Sequence, residues 1–339
     1  VTIDPVQPAV PIASAKSRSM LSSIAKFAVT VALYAAVFAK TDVAKVGAEL
    51  RAAEPGWVVL AVGIYAVGQC LSAYKWWLLL RPVKLVVPYT RVVGFYFIGM
   101  FFNIFLPTIV GGDAVKTIVL ARETGAVARS TMSVFMERNV GLFALLTIAT
   151  LASAFAPPVA TVWHLSLLSL TLLLFAGFVV ANLVITNRHA YRFVDYLIAM
   201  TPLARIRSRA TSLYEAVVPY RDATGVIAAS IGISFVFQAV VILVVFLNAK
   251  ALAHDVPWSA LAVFVPLISL AGMLPISVNG LGIREALYAV LFGQVGVPAH
   301  VAVSMAVLYA VVTLAASLPG GIVSMMQKRP AVRAGSARR

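Results

Sequence analysis

Apolar runs from Phe27 to Ala39, Trp57 to Leu80, Leu165 to Thr186 and Val226 to Leu247 proceed without the alternation that a barrel strand requires. A backbone in lipid must satisfy its own N–H and C=O groups, so runs of this kind fold as membrane-crossing helices. With 61% hydrophobic and 12% charged residues and a mean hydropathy of +0.96, a soluble globule is excluded. The expected class is an all-α polytopic membrane protein.

Two further apolar stretches are interrupted in the same way. Leu106-Pro107-Thr108-Ile109-Val110-Gly111-Gly112-Asp113 and Leu274-Pro275-Ile276-Ser277-Val278-Asn279-Gly280-Leu281-Gly282-Ile283-Arg284-Glu285 each place helix breakers inside apolar sequence. A broken helix is tolerated in a bilayer only where protein or a water-filled cavity satisfies the freed backbone groups. Paired breaks in corresponding places of two halves point to a transport site near the midplane.

Lys and Arg fix the threading, because cytoplasmic loops carry their excess. The polar stretch from Asn187 to Asp222, with Arg188, Arg192, Arg205, Arg207, Arg209 and Arg221, is placed inside, as are Lys16 and Arg18. The stretch from Val92 to about Ala121 then begins and ends inside, and Ala260 to about Phe292 begins and ends outside. Neither is long enough for two full spans of about 20 residues, so each is expected as a re-entrant helical hairpin broken at Pro107 or Pro275. In this threading, 20 of the 27 Lys and Arg lie inside and four (Lys40, Lys45, Arg51, Lys250) lie outside, with Lys75, Arg138 and Arg284 in membrane segments.

The expected organisation is a disordered tail over 1–20, a first membrane repeat over 21–160 with its hairpin at about 92–121, a second over 161–326 with its hairpin at about 260–292, and a basic tail over 327–339. The repeats have inverted topology, with six full spans, two hairpins and both termini cytoplasmic. Thr41 to Pro55 is expected as a short interfacial helix outside, and the first residues as a cytoplasmic tail rather than a cleaved signal.

Several functions fall away. The lone Cys70 lies in an apolar run and reads as a small buried hydrophobe. His164, His189, His254 and His300 have no metal-ligand spacing, and no cofactor motif is present. The net charge of +15 sits in membrane-flanking loops, where it orients the chain and attracts anionic lipid rather than nucleic acid.

Candidate binding residues gather at the breaks. Gly111, Gly112 and Asp113 open one half-helix, with Asp113 expected as N-cap; Asn279, Gly280 and Gly282 precede another carrying Arg284 and Glu285. Helix N-termini attract anions, and Arg284 in the first turn offers a guanidinium fork to phosphate or, alternatively, pairs with Glu285 or Glu137. Glu137 and Arg138 lie about two turns into their span, where a charge must be paired or face water. They are read either as a charged shell around the ligand or as packing pairs, Asp113 with Arg138 and Lys116 with Glu137. Lys75 is expected to snorkel toward Arg81 and the cytoplasm, while Asn103, Ser277 and Asn279 cap the breaks or line the cavity.

The motifs Phe101-Phe102-Asn103, Leu106-Pro107, Gly111-Gly112-Asp113 and Lys116, then Glu137-Arg138, then Pro275-x-Ser277-x-Asn279-Gly280-Leu281-Gly282-Ile283-Arg284-Glu285, resemble the lysylphosphatidylglycerol synthase transmembrane region, or flippase-like, family, including its stand-alone UPF0104-type members. The likeness runs from about Leu21 to Met326. It implies a lipid-translocating domain of the bacterial inner membrane; in the family's synthases this domain flips a lipid made by an attached transferase, for which these residues show no counterpart. Lys116 stands where many relatives carry Arg, replacing a bidentate fork by a single ammonium. The expected function is a non-enzymatic transporter of an anionic or modified (glycosylated, aminoacylated or isoprenoid) envelope lipid with a phosphate-containing head group. The alternatives are an accessory subunit presenting lipid to an envelope-biosynthesis enzyme and, third, a lipid-phosphate enzyme.

Overall fold

A computed structural model describes residues 27–39, 41–105, 111–155, 161–162, 165–187, 217–274 and 276–326. Among them are eleven α-helices: α1 Phe27–Ala39, α2 Val43–Ala52, α3 Pro55–Leu79, α4 Tyr89–Phe105, α5 Gly111–Thr124, α6 Val127–Ala154, α7 Leu167–Thr186, α8 Thr224–Ala251, α9 Trp258–Gly272, α10 Ile283–Gly293 and α11 Ala299–Met326. The tails, the whole 188–216 stretch and both hairpin prolines, Pro107 and Pro275, lie outside the described residues.

Five helices, α3, α6, α7, α8 and α11, are long and apolar enough to cross a membrane, and the number is six if the bent pair α1 and α2 counts as one span. The six full spans expected from the sequence are thus matched directly by five. The described part of α1 has 13 residues, ~20 Å at 1.5 Å per residue, short of the ~30 Å hydrocarbon core. It meets α2 at 85°. The turn is built by Asp42, whose Oδ1 accepts from the amides of Ala44 (3.0 Å) and Lys45 (3.2 Å) and so starts α2 in a new direction. A two-residue antiparallel ladder, Thr161–Val162 with Leu165–Ser166, precedes α7 and has no apolar signature in the sequence.

The interrupted stretches form two helix pairs. The arms α4 and α5 have 17 and 14 residues, and α9 and α10 have 15 and 11. At 1.5 Å per residue these arms reach ~16–26 Å, each less than the hydrocarbon thickness.

The halves interlock. α3 packs along α8, α4 packs on α11 and α6 packs on α9. Exchanging α3 with α8, α4 with α9, α5 with α10 and α6 with α11 maps these neighbours onto one another, and likewise α3–α11 onto α6–α8 and α4–α5 onto α9–α10. The tightest approach uses glycine. A Cβ on Gly320 of α11 would stand 1.9 Å from the Phe97 carbonyl oxygen of α4, and one on Gly112 would stand 2.5 Å from the Gly99 oxygen. Small residues let helix backbones touch where lipid supplies no hydrophobic drive for association. α7 differs: only 6% of its most apolar window is buried. It rests on α6 through an amide pair, Asn139 Nδ2 donating to Asn182 Oδ1 at 2.7 Å, and through Phe143 against Phe175 and Phe178.

Candidate functional site

Five ionisable side chains meet where α3, α4, α5 and α6 converge. Asp113 and Lys116 are three apart on α5 and therefore share a face, with Lys116 Nζ 3.0 Å from Asp113 Oδ1. The same ammonium lies 2.6 Å from Glu137 Oε2 on α6. Lys75 Nζ on α3 is 3.8 Å from Glu137 Oε1, which also accepts from the Tyr96 hydroxyl at 3.1 Å. Consecutive residues on a helix diverge by about 100°: Glu137 points into this cluster, while Arg138 turns aside and donates from Nε to Asp113 Oδ2 at 2.5 Å. The Asp113 Oδ1 atom makes an ion pair without an aligned hydrogen bond. Lys116 also lies over the rings of Tyr96 and Trp76, at 4.6 and 5.4 Å, and Trp76 is anchored by its Nε1–H to Ser133 Oγ.

Both packing pairs considered from the sequence, Asp113 with Arg138 and Lys116 with Glu137, are formed. Lys75 does not snorkel: it is 4% exposed, because Glu137 offers it a carboxylate inside the bundle. Three cations therefore face two carboxylates.

At the start of α5 and just before α10 one backbone amide is bound by a side chain. Asn103 Oδ1 on α4 accepts from the Gly112 amide at 3.2 Å, so Asn103, reaching across the hairpin, supplies the cap expected of Asp113, which sits inside the first turn of α5. In the second hairpin, the Gly282 amide donates to Glu285 Oε2 at 2.6 Å, one half of a capping box, since glycine has no side chain to return the bond. Gly280 and Gly282 have φ of +72° and +81°, a region that L side chains avoid, and a Cβ on Gly282 would come within 2.7 Å of Leu33 on α1. Thr30 Oγ1 of α1 accepts from the Val278 amide at 2.9 Å. Ser277 is buried and its Oγ has no hydrogen-bond partner; Asn279 lies in the 3-10 turn Val278–Gly280.

Three adjoining cavities of about 260, 220 and 240 Å³ share Arg138 as a wall. The first brings Arg138 and Asn103 of the first half together with Arg284, Tyr288, Tyr309 and Ser269 of the second. Arg284 has no acidic partner within ion-pair distance among the described residues. Its guanidinium lies over the Tyr309 ring, with Cζ 5.4 Å from the centroid, and its neighbour Glu285 is buried and occupied by the Gly282 amide. The pairing of Arg284 with Glu285 or Glu137 that the sequence left open is thus not made. The second cavity adds Lys75, Tyr65, Tyr96 and Ser72, and the third adds Lys116, Asp113, Gly112 and Gln69.

The sequence reading missed Lys75 as a member and the tyrosines Tyr65, Tyr96, Tyr288 and Tyr309. Tyr309 was detectable in principle: it is the eleventh residue of α11, as Glu137 is of α6, so matching the two halves helix by helix aligns a tyrosine with the buried carboxylate.

A bundle of membrane-crossing helices with two broken helix pairs and a buried charged cluster at their junction defines the chain as a multi-pass membrane protein. The profile of the lysylphosphatidylglycerol synthase transmembrane region matches residues 23–321, and the chain belongs to this family. A "UPF0104 membrane protein" of Methanothermobacter thermautotrophicus is 24% identical over 277 residues, covering 76% of this chain and 81% of that relative.

Proposed function

We propose that the chain is a flippase-type lipid transporter of the bacterial inner (cytoplasmic) membrane, moving an anionic or modified envelope lipid whose phosphate enters the cavity between the halves. The observation that carries this reading is Arg284: a permanently charged guanidinium, half-buried, without a carboxylate partner among the described residues, facing a cavity that it shares with Arg138. A cation in such a position is stabilised by an anionic ligand. Family membership makes a lipid ligand the natural source of that anion.

In this reading residues 21–160 and 161–326 are inverted repeats, α4–α5 and α9–α10 are re-entrant hairpins from opposite faces, and both termini are cytoplasmic. The exchange symmetry of the helix contacts and the shortness of the four arms support it. Arg284 and Arg138 hold the phosphate. Asp113 holds Arg138 and is itself tied through Lys116 to Glu137, and Asn103, Ser277 and the glycines Gly111, Gly112, Gly280 and Gly282 shape the hairpin tips.

The test is reconstitution of the purified chain in liposomes with fluorescent anionic, zwitterionic and aminoacylated lipids, following their accessibility to a membrane-impermeant quencher. Scrambling of one class that Arg284→Ala abolishes in a correctly inserted protein is the expected result. Equal scrambling by wild type and by Arg284→Ala combined with Arg138→Ala would overturn the assignment.

A further inference from the structure

The cavity walls carry an uneven set of charges. Lys75, Lys116, Arg138 and Arg284 line the three adjoining cavities, against the carboxylates of Asp113 and Glu137. The carboxylate nearest in sequence, Glu285, is committed to the Gly282 amide and lines none of them. Among the described residues four cations face two anions, so the cavity walls carry two positive charges in excess.

The donors left open to the cavity are those of the two guanidinium groups. Arg138 engages Asp113 through Nε, and its side chain is still 42% exposed, so its terminal N–H groups are open to the cavity. Arg284 keeps its whole fork. Two such forks with the hydroxyls of Tyr288 and Tyr309 stand around one space whose lining, among the described residues, holds no carboxylate, and they supply many donors. This array suits a phosphoryl group with several unshared oxygens.

We infer that the ligand of this cavity is a doubly charged phosphate, a phosphomonoester or a diphosphate, rather than the singly charged phosphodiester of an ordinary phospholipid. The inference rests on the lipid-transport reading for the lipid that carries the group. A dianion neutralises both uncompensated charges, whereas a phosphodiester leaves one. A lipid made cationic by aminoacylation brings a further positive charge toward Lys75, Lys116, Arg138 and Arg284 and is refused.

The experiment measures equilibrium binding of short-chain lipids to the purified full chain in a neutral detergent by titration calorimetry. The probes are dihexanoyl phosphatidic acid, dihexanoyl phosphatidylglycerol and its lysyl ester, with inorganic phosphate and diphosphate as competitors. At pH 8 the phosphomonoester binds about tenfold or more tightly than the phosphodiester, and the lysyl ester binds weakest. A phosphomonoester loses its second proton near pH 6, so its affinity rises between pH 5 and pH 8 while that of the phosphodiester stays flat. Arg284→Gln brings the two lipids to within about threefold of each other, and Arg284→Lys keeps part of the preference. The head-group ranking needs only the wild-type chain, so a variant that fails to fold does not remove the test.

Competition separates the sources: failure of inorganic phosphate to displace the lipid assigns the dianion site to a head group, and displacement at equal concentration assigns it to soluble phosphate. Equal affinity for phosphatidic acid and phosphatidylglycerol, or tighter binding of the lysyl ester, overturns the inference. Binding preference does not depend on transbilayer movement, so a liposome assay without scrambling defeats the transport reading and leaves this result standing. Scrambling of phosphatidylglycerol as fast as phosphatidic acid does the reverse.

Discussion

Lys116 Nζ on α5 lies 2.6 Å from Glu137 Oε2 on α6, and both side chains are about 5% exposed, so α5 is tied to α6 by a buried ion pair. Removing one partner leaves the other charge uncompensated, at a typical cost of about 3–5 kcal/mol. Lys116→Met and Glu137→Gln should each lower the thermal unfolding midpoint in detergent. The double variant should lose less than the sum of the two singles; strict additivity would mean that the pair is not coupled.

Gly320 cannot accept a side chain without moving α11 away from Phe97. Gly320→Ala should destabilise the protein by about 1–3 kcal/mol, the usual cost of overpacking. Gly232 on α8 has nothing within 4 Å of its would-be Cβ, and Gly232→Ala should stay near wild type or above it. Similar melting of both variants would argue against the α4–α11 contact.

Asn103 accepts from the Gly112 amide in the first turn of α5. Asn103→Ala should cost about 1 kcal/mol, as for loss of other side-chain caps, and should speed hydrogen exchange at the Gly112 amide more than at amides of α6. Unchanged exchange at Gly112 would show that the cap does not hold in the membrane.

The threading can be read with single cysteines in a Cys70→Ala background. Val86, in the α3–α4 connection, is 96% exposed and Val295, between α10 and α11, is 39% exposed. Val86→Cys should react with an impermeant maleimide from the cytoplasmic side and Val295→Cys from the opposite side. Labelling of both from one side would rule out the inverted arrangement.

Much of the helical layout was legible because membrane helices announce themselves by run length. Trp57 to Leu80 became Pro55–Leu79, and Leu165 to Thr186 became Leu167–Thr186. Breaks were equally legible: Gly111-Gly112 open α5, and Gly280 and Gly282 take positive φ just before α10. The direction of individual side chains was not. Lys75 looks like a snorkelling residue by depth alone, and only the three-dimensional position of Glu137, 62 residues away by the numbering, turns it inward. Asp113 looks like a cap by type, yet the ion pairs to Lys116 and Arg138 outweigh that role and leave capping to Asn103. The tyrosines carried no signal, because an aromatic residue in an apolar run is ordinarily packing material.

The interlocking of α3 with α8, α4 with α11 and α6 with α9 has a consequence for biosynthesis. When the ribosome has delivered residues up to the end of α6, Lys75, Asp113, Lys116, Glu137 and Arg138 are already in the bilayer, but the helices that wall them from lipid are still unmade. The nascent first half must then wait as an open-sided intermediate, its polar seam needing a temporary escort such as the insertion machinery until α8 and α11 arrive. A chain arrested after α7 would therefore lack the α8 and α11 neighbours that complete the packing around these charges.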